Sequence, residues 1–316
     1  RLRQAGAPMP GMRNPIGYGM VAPTILTVGT EAQRQRYLRP LFTCEEIWCQ
    51  LFSEPGAGSD LASLTTRAVR DGDSYVVNGQ KVWTSFAHAA KFGILICRTD
   101  PSAGKHNGIT YLVCPMDAPG IEVRPIIEMT GAHNFNEVFF TDVHIPIDHR
   151  VGDENAGWGL AKVTLGNERV SLSGEGALWG RGPNATDLLE LVRAAGGCKD
   201  PIMRQRLARL YVHAETLRLI RLRTLTSQIA GKQPGPEASL RKALADDHGQ
   251  EIMAVAKDLC GAAGMLNAGG PFGDSNGTWS YGYLFAPALT IGGGTAEVQR
   301  NIIAERVLGL PHDIEI

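Results

Sequence analysis

The sequence predicts an α+β fold, mainly α, on three observations. Between residues 46 and 150 the chain is cut into short segments rich in β-branched and aromatic residues, separated by Gly, Pro and Asp clusters. From residue 151 onward it carries long stretches with apolar residues at helical spacing. Hydrophobic residues make up 43% of 316 residues, enough for a sizeable core. These shifts divide the chain into a helical opening (1–45), a central β-domain (46–150) and a helical bundle (151–316).

The opening is Gly/Pro-punctuated and then turns polar. Thr30 stands at an N-cap position with Gln33 three residues on, the spacing of a capping box, and Pro40 is expected to end that helix. In the next block, Ser74–Val77 and Gln80–Thr84 read as two strands joined by an Asn78-Gly79 turn. Gly93–Cys97, Ile109–Val113, Ile121–Arg124, Glu137–Phe140 and Val143–Ile145 follow as strands, together suggesting a small β-barrel or sandwich. Helices are expected over 158–179, 183–196, 200–231, 236–265 and 295–308, forming an antiparallel bundle. The third carries Leu207, Leu210, Tyr211, Ala214, Leu217 and Ile220 as an apolar stripe.

With 31 Lys+Arg against 32 Asp+Glu, the charge balance argues against nucleic acid or an anionic membrane as the main partner. No apolar run is long enough to span a bilayer, and no signal-peptide pattern opens the chain. The six cysteines (44, 49, 97, 114, 198 and 260) have no CxxC spacing. Reduced thiols in a cytoplasmic protein without a metal site are the expectation. The first residue is not Met and the chain opens in mid-element, so the true start is expected to lie upstream.

Three segments could carry chemistry. Phe52-Ser53-Glu54-Pro55-Gly56-Ala57-Gly58-Ser59-Asp60 sets two glycines between hydroxyls, where backbone amides could approach a phosphate or a planar ring. It is not GxGxxG and no strand–turn–helix unit surrounds it, which excludes a nicotinamide Rossmann domain; an ordinary surface turn is the plain alternative. Gly79-Gln80-Lys81-Val82-Trp83-Thr84-Ser85 places a Trp and hydroxyls at a strand end, where Trp83 could equally be a core residue. Gly292-Gly293-Gly294 runs into a helix capped by Thr295, either a polar-ligand site or a flexible loop.

Taken in order and spacing, EPGAGSD, GQKVWTS, FNEVFFTDVHIP and GGGTAEVQRNIIAERVLG resemble the acyl-CoA dehydrogenase family, from about residue 15 to residue 310. The resemblance implies a partial N-terminal helical domain, a central β-domain and a C-terminal four-helix bundle. It implies bound FAD, an acyl-CoA substrate and an electron-transfer flavoprotein as acceptor. By position, Phe52 and Ser53 would contact the flavin. Ser59 would lie near the cofactor and the pantetheine, while Trp83, Thr84 and Ser85 would flank the isoalloxazine. Ser85 would be the hydroxyl close to flavin N5. Thr295 and Glu297 would reach the flavin from the last helix.

α,β-Dehydrogenation needs a base for an α-proton that is very weakly acidic, so the site must both polarise the thioester and place the base in contact. Many relatives carry a Glu where this chain has Gly293. Others place it on a bundle helix in a Leu-x-x-Glu-Arg pattern, which matches Leu165-Gly166-Asn167-Glu168-Arg169. Glu168 is the candidate base, with Glu175 as fallback. Arg169 and Gly294 are candidate substrate contacts. An Asn-Glu-Arg on a solvated helix face is the plain alternative.

Two departures stand out. The Arg-x-x-Phe-Gly expected near the start of a bundle helix is missing from Gly196–Arg206. Asp258–Gly264 replaces a Gln-containing glycine turn. The first motif would reach the flavin of a neighbouring subunit and the second would touch the adenosine side, so cross-subunit flavin contacts are not expected from this sequence. The rival reading is therefore a non-catalytic or FAD-sharing subunit of a hetero-oligomer; a homo-oligomer remains open, and an acyl-CoA oxidase is a third option. Besides Leu207–Ile220, the last helix offers Val298, Ile302 and Val307 for an interface.

Overall fold

A computed structural model describes residues 13–172, 176–231, 235–266 and 277–312. The chain divides into two compact units, Arg1–Asn167 and Glu168–Ile316.

The first unit opens with helix α1 (Ala22–Val28), continuous with a wider turn over Gly17–Val21, and helix α2 (Glu31–Phe42). The Thr30 hydroxyl accepts from Gln33 N and the Gln33 side chain accepts from Thr30 N, completing the expected capping box. Pro40 does not end α2 but lies within its last turn. A proline there forfeits one hydrogen bond two residues before the helix stops.

Seven strands form one mixed sheet: β1 (Trp48–Leu51), β2 (Arg67–Asp71), β3 (Ser74–Lys81), β4 (Phe92–Arg98), β5 (Ile109–Pro115), β6 (Ile121–Ile126) and β7 (Phe135–Pro146). Their order is β1-β4-β2-β3-β7-β6, with β5 also on β4. The β1–β4 and β2–β4 pairs are parallel and the others antiparallel. β1, β4 and β5 are buried on both faces. Trp48, Ile94, Ile96, Tyr111 and Val113 pack into a core with Ile25, Tyr37 and Leu41 of α1 and α2. Their alternates Cys49, Leu51, Leu95, Cys97, Leu112 and Cys114 pack into a second core with Tyr75, Val77, Val138, Phe140 and Ile145. This is period-2 alternation with both sides apolar.

The Asn78-Gly79 turn is not formed. β3 runs unbroken through it, with a register shift opposite β7 between Val77 and Gly79. A Cβ on Gly79 would lie 2.5 Å from Thr66 Oγ1 and 2.7 Å from Thr66 Cα, and its φ is +150°. The glycine therefore serves a bulge and a close backbone approach. The hairpin turn falls at Gly72-Asp73, with φ +55° at Gly72. Likewise the two segments expected over 137–145 are one strand, β7.

Helix α3 (Gly157–Leu172) begins in the first unit and ends in the second. It stops well short of residue 179, and two short antiparallel bridges, Gly176–Gly180 and Leu178–Arg181, follow. Then come α4 (Ala185–Ala194), α5 (Pro201–Ile229), α6 (Ala238–Cys260), α7 (Thr278–Phe285) and α8 (Ala296–Ile302), the last extended by a wider turn to Val307. Asn184 and Asp200 cap α4 and α5 through their side chains, and Pro201 occupies the first position of α5, where its missing N–H costs nothing. The bundle core gathers Leu188, Leu207, Leu210, Ile252, Met253, Val255 and Leu289. The expected α5 stripe is thus split. Leu207 and Leu210 are buried, whereas Tyr211 is 53% exposed, beside Val212, Leu219, Leu222 and Ile229, also exposed. Val307 is exposed as well.

None of the six cysteines is joined in a disulfide to another described residue, and no metal-binding cluster occurs among the described residues. No described helix is long and apolar enough to cross a membrane.

Candidate active site

In the first unit, the first two segments singled out by the sequence meet. Val82 N donates to Ser53 O at 2.9 Å, which carries the end of β3 alongside the chain leaving β1. Lys81, fully buried, donates to Phe52 O at 2.8 Å and to Glu54 Oε1 at 2.9 Å. Glu54 also accepts from Thr65 N, Thr65 Oγ1 and Thr66 N. Burial alone would push the Glu54 carboxyl up; the Lys81 charge and the threonine hydrogen bonds overcome it and hold the group at about 2. Burial pulls Lys81 down, opposed by Glu54. Each group of the pair thus offsets the burial cost of the other.

Beyond this staple the chain turns sharply. Trp83 and Phe86 both have φ +59°, outside the usual range for side-chain-bearing residues. Trp83 is 60% exposed, so it is not a core residue, and its ring meets Phe135 edge-on with centroids 6.3 Å apart. Thr84 is buried. Its backbone exchanges hydrogen bonds with Asn136, but its hydroxyl has no partner among the described residues. An unsatisfied buried hydroxyl is costly unless a ligand completes it. Ser85 is half-buried, as is Ser53; Phe52 is buried and Ser59 exposed. A Cβ on Gly56 or Gly58 would meet nothing within 4 Å, so open space lies over that turn. Exposed indole, unsatisfied hydroxyl and open glycine turn together suit a planar ring with hydrogen-bonding edges.

In the second unit, Thr295 Oγ1 accepts from Val298 N at 3.3 Å, capping α8 as expected. Glu297 is exposed and its carboxyl is held low, first by a backbone hydrogen bond and then by Thr295. Gln299, fully buried, donates to Gly293 O at 3.0 Å and Gly294 O at 3.1 Å. Gly293 and Gly294 have φ +71° and +90°. The space their side chains would need is taken. A Cβ on Gly292 would lie 2.5 Å from Trp179, one on Gly293 2.6 Å from Leu172, and one on Gly294 2.5 Å from Gln299. The triple glycine is therefore a conformational and packing requirement, not an opened cavity.

Glu168 and Arg169 are both half-buried near the end of α3. Glu168 Oε1 lies 3.8 Å from the point a Gly293 Cβ would occupy. Burial lowers the Arg169 guanidinium, with Glu168 opposing. Glu175 lies outside the described residues. Sequence reasoning passed over Lys242, whose Cε lies 3.3 Å from the same Gly293 point. Its signal was a Lys-x-x-x-Asp pair, Lys242 and Asp246, on the inner side of α6.

Comparison with known proteins places this architecture. The model of the acyl-CoA dehydrogenase middle domain matches residues 49–143 and that of the acyl-CoA dehydrogenase C-terminal domain matches residues 155–308. The chain belongs to the acyl-CoA dehydrogenase family, FAD-dependent oxidoreductases that act on acyl-CoA thioesters. Among its relatives, acyl-CoA dehydrogenase IpdE1 of Mycobacterium tuberculosis is 41% identical over 98% of this chain and 78% of the relative. A solved structure described as the Tcur3481-Tcur3483 steroid ACAD superposes with TM-score 0.87 at 34% identity, covering 99% of this chain and 79% of that one. The ChsE4-ChsE5 complex of M. tuberculosis gives TM-score 0.83 at 36% identity, covering 99% and 80%.

Proposed function

We propose that this chain catalyses the α,β-dehydrogenation of an acyl-CoA, with Glu168 removing the α-proton. The observation that carries this reading is the place of Glu168 Oε1. Its carboxylate faces the point from which a side chain at 293 would start, the position where many relatives carry their base. A carboxylate on α3 thus serves the region that a loop carboxylate would serve. Bound FAD supplies the acceptor for the β-hydride at N5. Phe52, Ser53, Trp83, Thr84, Ser85, Thr295 and Glu297 would hold it, and the orphaned Thr84 hydroxyl and the exposed Trp83 ring support that fit. Arg169, Ser59 and Gly294 would contact the acyl-CoA. The steroid ACAD neighbour suggests a bulky, ring-bearing acyl group. Electrons would pass to an electron-transfer flavoprotein.

Glu168→Gln keeps the side-chain shape and removes its basicity. It is expected to slow bleaching of the flavin by acyl-CoA about 10²–10⁴-fold with FAD still bound. Wild-type bleaching in this variant would overturn the assignment.

A second reading, an FAD-sharing subunit of a hetero-oligomer, is favoured by the sequence at the start of α5. Asp200-Pro201 caps the helix where an Arg-x-x-Phe-Gly would reach a neighbour's flavin, and Val212, Leu219, Leu222 and Ile229 leave an apolar face exposed. The ChsE4-ChsE5 neighbour is itself a complex of unlike chains. Mass and flavin content measured together separate the readings: one FAD per chain in a homo-oligomer, or one per pair of unlike chains.

A further inference from the structure

The inward register of β7 reads Asn136, Val138 and Phe140, all buried. Val138 and Phe140 belong to the second core, so Asn136 sets an amide where the strand otherwise sets hydrocarbon. Asn136 is 0% exposed, and its Oδ1 has no partner among the described residues. A buried acceptor without a donor lowers stability, and an apolar side chain of the same shape would avoid that loss. The use of this side chain lies in what it donates to. Its Nδ2 donates to Thr84 O at 2.9 Å and to His88 Nδ1 at 3.3 Å, which occupies both amide hydrogens. Turned the other way, the amide would set Oδ1 against Thr84 O, two acceptors in contact. Thr84 O and His88 Nδ1 therefore orient the amide between them.

Both backbone polar groups of Thr84 end on this one residue. Thr84 O accepts from Asn136 N at 3.0 Å as well as from Nδ2, and Thr84 N donates to Asn136 O at 2.9 Å. Phe86 N donates to Asn134 O at 3.0 Å, so the stretch from 84 to 86 is pinned to the start of β7. Trp83 and Phe86, both with φ +59°, enclose Thr84 and Ser85. Residues with side chains stay in that conformation only where their surroundings hold them. We propose that Asn136 is a positioning residue for the flavin: its amide, held in turn by His88, fixes the Thr84 peptide and with it the buried hydroxyl that would meet the cofactor. This rests on the placing of Thr84 at the flavin in the proposed function. His88 is exposed and lines a cavity of about 430 Å³ together with His133, Met116 and Asn136. It belongs to neither core of this unit, so it can be replaced without disturbing them.

The test is the dissociation constant for FAD, measured on the full chain in its native assembly, with thermal unfolding of the flavin-free protein alongside. Asn136→Leu keeps the outline of the side chain and removes both donors. It is expected to raise the constant about tenfold, as is Thr84→Val, the scale of one buried hydrogen bond. His88→Phe releases the amide without touching the strand and is expected to raise it about threefold. In the Thr84→Val background neither change should weaken FAD further, because the hydroxyl through which both act is gone. A side chain that only supports the fold gives a different pattern. It lowers the unfolding temperature and leaves the FAD constant alone, or it weakens FAD equally with and without the Thr84 hydroxyl. Either result overturns the proposal. If Asn136→Leu does not fold, His88→Phe with and without Thr84→Val decides by the same rule. If the wild type takes up no FAD, or Thr84→Val holds it as tightly, the placing of Thr84 at the flavin is what fails, and the role of Asn136 falls with it.

Discussion

Removing Lys81 tests what joins the first two motif segments. Lys81→Met keeps the length and apolar stem of the side chain but leaves Glu54, with its side chain 4% exposed, without its cation. Breaking a buried pair from one side costs about 3–5 kcal/mol, because the remaining charge is uncompensated. The pH dependence gives an independent figure. The Glu54 carboxyl sits at about 2 in the folded chain against 4.5 ordinarily. At roughly 1.4 kcal/mol per unit, that difference is worth about 3 kcal/mol. Because the folded pKa is depressed, this stability is fully present above about pH 4.5 and is lost as pH falls toward 2. Urea unfolding followed by near-UV circular dichroism should therefore show Lys81→Met destabilised by about 3 kcal/mol or more at pH 7. Lys81→Met combined with Glu54→Gln should recover part of the loss, and the gap between wild type and Glu54→Gln should narrow below pH 4.5. A loss under about 1 kcal/mol in Lys81→Met, or a gap that does not change with pH, would refute the staple.

Thr84→Val should leave the flavin-free protein as stable as wild type or more so, since it removes a buried hydroxyl without a partner, while weakening FAD retention measured by equilibrium dialysis. Gly79→Ala places a Cβ 2.5 Å from Thr66 Oγ1 at φ +150°; a loss of about 2 kcal/mol or more in thermal unfolding is expected, and a neutral result would mean the bulge relaxes. Thr30→Ala removes the α2 cap and should cost about 1 kcal/mol, read by hydrogen exchange in the first turn of that helix. Gly293→Ala, whose Cβ would lie 2.6 Å from Leu172 at φ +71°, should lower thermal stability, and Leu172→Ala in the same chain should restore part of it.

Local sequence determined much of this protein. The Thr30–Gln33 box and the Thr295 cap were legible because each depends on residues within one helical turn. The strands β4 and β5 were legible as continuous apolar runs between glycine and proline breaks. The motif segments, and with them the family, could be read from residue order alone. Tertiary structure decided the rest. Asn78-Gly79 has the composition of a hairpin turn, yet the pairing with β7 and the nearness of Thr66 kept it extended. Leu207 and Leu210 of the α5 stripe found the core and Tyr211 did not, because periodicity marks a face without saying what covers it. The convergence of Glu168, Gly293 and Lys242, from α3, a loop and α6, has no local signature. Backbone preference is set by neighbours in sequence, whereas burial and charge pairing depend on which surfaces the folded chain brings together.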